Sequence, residues 1–63
     1  MEETEFEAAQ RHVNQSRRIV AAQKDKIARL KVSGYDARSA ENELELLENA
    51  LAICEQHLRS LQP

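Results

Sequence analysis

Cys54 and His57 are spaced Cys-x-x-His on what reads as one helix, so both side chains project to nearly the same side. A coiled-coil register, developed below, brings His12 to them. One thiol and two imidazoles are ligand types that zinc takes, and Glu7 or Gln10 could approach as a fourth. The same residues also have a packing explanation. Cys54 falls at a seam position where a cysteine behaves as a small hydrophobe, and histidines are ordinary amphipathic residues at the margin of helical interfaces. Packing is the preferred reading, and no cofactor is expected. The alternative is a metal- or redox-responsive binding protein that uses His12, Cys54 and His57.

Other chemistries are harder to place. No nucleophile stands beside a base, no glycine-rich loop could cradle phosphate, and two helices enclose no pocket, so the chain is not expected to be an enzyme. Net charge is -2, yet the charges are segregated. Residues 11–31 carry Arg11, Arg17, Arg18, Lys24, Lys26, Arg29 and Lys31 against Asp25 alone; residues 36–63 carry Asp36, Glu41, Glu43, Glu45, Glu48 and Glu55 against Arg38 and Arg59. A basic helix can follow nucleic acid, but these bases spread around the helix without interleaved aromatics. An acidic neighbour of similar length neutralises them more simply, and nucleic acid is not expected as a partner.

At 63 residues the chain has room for one small domain, of a size at which a core commonly needs metal, disulfide or oligomerisation to supplement it. A single cysteine makes no intrachain disulfide and fits a reducing compartment. The acidic start, Glu2-Glu3-Thr4-Glu5, is unlike a basic signal peptide, and no apolar run approaches the ~20 residues that cross a bilayer. The expectation is a cytoplasmic protein with no membrane partner.

Local signals predict two helices. Thr4 and Glu7 have the spacing of a capping box, and no Gly or Pro interrupts the chain from Glu5 to Val32, so helix 1 is expected over about 5–32. Gly34 suits the left-handed position after a helix end, and Tyr35 can then fold back toward Leu30 in a Schellman motif. Asp36 can accept from the first free N–H groups of the next helix, and Tyr35 can staple onto Ala40. The turn is therefore placed at 33–36, through Gly34, Tyr35 and Asp36, and helix 2 over about 37–61. A linker this short makes the helices antiparallel neighbours.

Heptads refine the pairing. In helix 2, Ala37, Ala40, Leu44, Leu47, Leu51, Cys54, Leu58 and Leu61 alternate in steps of three and four. Helix 1 offers Phe6, Val13, Val20 and Ile27 at a, with Ala9, Ser16, Gln23 and Leu30 at d. Setting Phe6 against Leu61 pairs small with large along the seam, down to Ile27 with Ala40 and Leu30 with Ala37. A slip of one heptad leaves Phe6 and Ala9 without partners. The preferred register also sets Arg17, Lys24 and Lys31 across from Glu55, Glu48 and Glu41 on one edge. On the other edge Lys26 faces Glu43, Ile19 faces Ala50 and His12 faces His57.

Helix 2 carries more apolar surface than one seam uses. Leu46, Ala50 and Ile53 at c and g, with Ile19 and Ala22 of helix 1, form a face without a partner inside the hairpin. Contiguous apolar patches usually mark an interface. The fold expected is all-α, an antiparallel, coiled-coil-like two-helix hairpin that associates with itself into a four-helix bundle, as a homodimer or a higher assembly. In a heteromeric setting the same face would take a helix of another protein.

Arg11-His12-Val13, Arg18-Ile19, Gln23, Ile27-Ala28-Arg29-Leu30, Gly34-Tyr35-Asp36, Leu46-Leu47-Glu48, Leu51 and His57 together resemble a group of short bacterial helical-hairpin proteins of unknown function, over nearly the whole chain. His12, Gln23 and His57 are the less generic matches, and relatives in that group often carry a histidine where this chain has Cys54. The resemblance implies a helical hairpin in a bacterial cytoplasm and no particular activity.

Overall fold

The computed structural model describes residues 2–62. α1 spans Glu5–Val32 and α2 spans Arg38–Ser60. They form an antiparallel hairpin 47 Å long and 21 by 13 Å across. α1 starts on the reciprocal cap that its sequence encodes: Thr4 Oγ1 accepts from the Glu7 N–H at 3.1 Å, and the Thr4 N–H donates to Glu7 Oε1 at 3.2 Å. Two of the orphan donors of the first turn are thereby satisfied. Glu5 and Glu7 in the first turn and Arg29 and Lys31 in the last complement the helix dipole.

Gly34 ends α1 at φ 80°, in the left-handed region. The Tyr35 N–H donates to the Leu30 carbonyl at 2.9 Å and the Gly34 N–H to the Lys31 carbonyl at 3.1 Å, the two bonds of a Schellman motif. α2 begins under Asp36, whose Oδ1 accepts from the Arg38 N–H at 2.9 Å. The Asp36 carboxylate also receives the Arg38 guanidinium, with Nη2 to Oδ2 at 3.0 Å, and these bonds hold it below the ordinary carboxylate pKa. Two details differ from the sequence expectation. Ala37 and Leu61 cap α2 rather than belong to it, since the chain there already departs from helical bonding. Tyr35 is 69% exposed and so staples little onto Ala40; Ala37 and Ala40 pack against Ile27 and Leu30 instead.

Burial follows the heptads closely. Ala9, Val13, Val20, Ile27, Ala37 and Ala40 are buried, and every other a and d residue named above is half-buried. Outside those two rows every described residue except Ala8 and Glu55, which are half-buried, is exposed. The seam is asymmetric in depth. Val13, Val20 and Ile27 of α1 are covered by α2, whereas Leu44, Leu47, Leu51, Leu58 and Leu61 of α2 are each left partly open. Helix α2 is thus covered by only one neighbour along a face wide enough for two.

Candidate interaction surface

One long side of the seam is closed by charge. Arg17 Nη2 reaches Glu55 Oε2 at 3.0 Å, and Lys31 Nζ reaches Glu41 Oε2 at 3.5 Å. These are two of the three e-to-e pairs that the register with Phe6 against Leu61 requires, and a one-heptad slip would separate both. Lys24 and Glu48, the third pair, stand level without an ion pair. Within the seam the Gln23 amide donates to the Ala40 carbonyl at 2.9 Å and to Glu43 Oε2 at 3.1 Å. Gln23 stands at a d position, where polar residues fix register. Its bonds tie mid-α1 to the first turns of α2. Sequence reasoning assigned it the register role but not these partners, because Ala40 offers only its backbone and no side-chain pattern announces that.

The other long side is open. Ile19 is 51% exposed, Leu46 70% and Ile53 67%, and Ala22 and Ala50 between them are exposed as well. On α2 the stripe Glu43, Leu46, Ala50, Ile53, His57 advances in steps of three and four. It therefore repeats the seam pattern about 100° further round the helix. The matching stripe on α1 is His12, Gln15, Ile19, Ala22, Lys26. The two stripes lie side by side, apolar in the middle, with Lys26 and Glu43 toward the turn and His12 and His57 toward the open end.

At that open end Ala9, His12, Ile53, Cys54 and His57 line one apolar hollow of about 190 Å³. The structure thus brings His12, Cys54 and His57 to one place, as the register required. Their donor atoms do not converge: among the described residues no group of three or more His, Cys, Asp or Glu side chains is placed to hold a metal ion. Cys54 is half-buried, and its Sγ lies 4.0 Å from Ser16 Oγ, a hydroxyl donor within the seam. Its contacts are those of a packed residue.

Away from this face, Glu3 and Arg11 form a two-pronged ion pair at 3.0 and 3.1 Å, which holds Glu3 below the ordinary carboxylate pKa. The pair is exposed and adds little to stability. Ala28, Arg29, Val32 and Ser33 outline a shallow apolar spot beside the turn, with Val32 90% exposed. Sequence reasoning passed over it, although Ala28 and Val32 are spaced four apart on the outer side of α1.

No helix among the described residues is long and apolar enough to cross a membrane. Compared with protein-family models, curated proteins and solved structures, the chain has no match.

Proposed function

We propose that the hairpin is an association module, a small homo-oligomeric scaffold or adaptor whose open face takes a second copy to complete a four-helix bundle. The observation that carries this reading is the uncovered stripe of Ile19, Leu46 and Ile53, continuous with the half-buried leucines of α2. Burying side chains of this size contributes ~1.5–3 kcal/mol each when complete. Surface area supports it independently. A compact monomer of 7.2 kDa exposes about 4,100 Å², whereas this hairpin exposes 5071 Å². The surplus, about 970 Å², exceeds the ~800 Å² that each partner contributes to a standard interface.

The reading is non-enzymatic, because the long sides of a two-helix hairpin offer surface rather than a concave site. A reducing, cytoplasmic setting suits a chain whose one thiol is packed rather than paired, and the bacterial setting rests on the resemblance to short hairpin proteins. The direct test is mass in solution by light scattering and sedimentation equilibrium at tens of micromolar, where a dimer or larger assembly is expected. A fully helical monomer at that concentration would remove the reading.

The hollow lined by His12, Cys54 and His57 supports the metal- or redox-responsive alternative. Zinc titration of the purified protein decides between them. Stoichiometric uptake that disappears in Cys54→Ala or His57→Ala would promote the metal-responsive reading.

A further inference from the structure

Two hairpins can share one face by a two-fold rotation in two ways. If the axis runs across the hairpin, the turns lie at opposite ends and each helix lies on its own copy. If the axis runs along the hairpin, the turns lie at the same end and α1 lies on the partner's α2. We propose the second arrangement for this protein. The inference rests on the association reading and adds the orientation of the partner, which that reading leaves open.

Three observations favour it. The first is charge on the scale of whole helices: α1 carries seven bases against three acids, counting Glu5, Glu7 and Asp25, while α2 carries five acids, from Glu41 to Glu55, against Arg38 and Arg59. Laying each helix on its own copy sets basic against basic and acidic against acidic. Laying α1 on the partner's α2 flanks every basic helix with an acidic one on both sides.

The second is volume. Because Ile19 lies level with Ala50 in the hairpin, an axis along the hairpin sets Ile19 on the partner's Ala50 and Ala22 beside the partner's Leu46. Large meets small in both of these layers, as an interdigitated core requires, while Ile53 comes beside the partner's Gln15. An axis across the hairpin would set Ile19 on itself and Leu46 on the partner's Ile53, large on large, with Ala50 on Ala50 leaving space between them.

The third is Lys26. It stands level with Glu43 in its own hairpin yet makes no ion pair there among the described residues, while Glu43 accepts from Gln23. In the proposed dimer Lys26 faces the partner's Glu43, and the reverse pair forms by symmetry. The open ends then bring His12 level with the partner's His57.

The test uses disulfide trapping in a Cys54→Ala background, with each variant first matched to wild type in helicity and mass. Ile19→Cys protein alone and Ala50→Cys protein alone should give almost no dimer-linked species under mild oxidation. An equal mixture should give the mixed 19-to-50 disulfide as the dominant product. Rapid like-with-like linking in either single preparation would overturn the orientation and leave the association reading standing. A wild-type protein that is monomeric by mass would overturn both. Charge exchange supplies a second measurement that leaves the apolar layers untouched. Lys26→Glu and Glu43→Lys are at exposed positions, so each variant should fold, self-associate roughly fivefold more weakly than wild type, and form a mixed dimer in preference to either homodimer. Statistical mixing of the two would count against the proposal.

Discussion

The two long sides of the hairpin flank one seam and are finished in opposite ways. On one, Arg17 meets Glu55 and Lys31 meets Glu41 across the groove; on the other, Ile19, Leu46 and Ile53 stand in water. Opposite charges at fixed heptad positions select the register and the antiparallel sense at small energetic gain, since exposed pairs contribute ~0.2–1 kcal/mol. Apolar surface has no such selectivity in a lone hairpin, but it holds the larger reserve of free energy. In the proposed bundle the contrast divides specification from stabilisation: the charged side sets how the two helices meet, and the apolar side takes the partner.

The largest effect expected from breaking this contrast comes from placing charge on the apolar side. In a lone hairpin Ile53 is 67% exposed, and Ile53→Glu there would change stability by no more than about 0.5 kcal/mol. In a bundle the same carboxylate is buried without a partner, at a cost of several kcal/mol. Ile53→Glu and Leu46→Glu are therefore expected to dissociate the assembly and to melt much of the helix with it, because a chain this small has little stability in reserve. Asn42→Glu, on the outer side of α2, should leave mass and circular dichroism near wild type. An Ile53→Glu protein that keeps its oligomer would move the interface elsewhere.

Next in size is a change that strikes both sides equally. Gly34 sits at φ 80° with nothing within 4 Å of where a Cβ would stand, so the Cβ of Gly34→Val has room and the main cost is the backbone strain of a branched residue in the left-handed region. That strain is about 1–2 kcal/mol, and the melting temperature should fall by roughly 4–8 °C for each kcal/mol. Gly34→Asn should fall less, since Asn tolerates this region. A Gly34→Val protein with the wild-type midpoint would show that the turn does not limit stability.

Most of the fold was legible because a coiled-coil hairpin is specified locally and periodically. The cap at Thr4 and Glu7, the stop at Gly34 and the steps of three and four from Ala37 to Leu61 each have a local physical cause, and the observed burial follows them. What escaped notice depends on side-chain reach rather than period. Tyr35 was expected over Ala40, but the Schellman bonds fix only its backbone and leave the ring in water. Gln23 finds a carbonyl that no pattern advertises. Lys24 and Glu48 occupy the same heptad positions as the pairs that form and yet do not meet. The candidate face was legible as a surplus of apolar positions; the failure of His12, Cys54 and His57 to converge was not, because spacing sets a side and not a distance.

A smaller effect isolates the charged side. A double-mutant cycle on Arg17→Ala and Glu55→Ala should return a coupling of ~0.2–1 kcal/mol that shrinks as salt is added. The parallel cycle on Lys24→Ala and Glu48→Ala should return none within error, because that pair is not formed. Oligomer affinity should respond to salt differently from the Arg17–Glu55 coupling if its main support is apolar. A coupling for Lys24 and Glu48 equal to that of Arg17 and Glu55 would mean that the edge acts as a diffuse field rather than as discrete pairs.

The smallest effect lies at the turn, where both sides begin. Asp36 accepts from the Arg38 side chain and backbone N–H, in that order of influence, and its pKa in the folded chain is lowered accordingly. A lowered folded value means that its contribution is fully present above the ordinary Asp pKa of about 3.9 and is lost as pH falls through the lower folded value. The group is exposed, so the contribution is slight and local, confined to the first turn of α2. The Arg38 amide resonance should therefore titrate with a midpoint below that of a free Asp, and Asp36→Asn should abolish that titration while leaving mass and overall helicity unchanged. An Arg38 amide whose pH response is the same in Asp36→Asn as in wild type would show that α2 starts without support from Asp36.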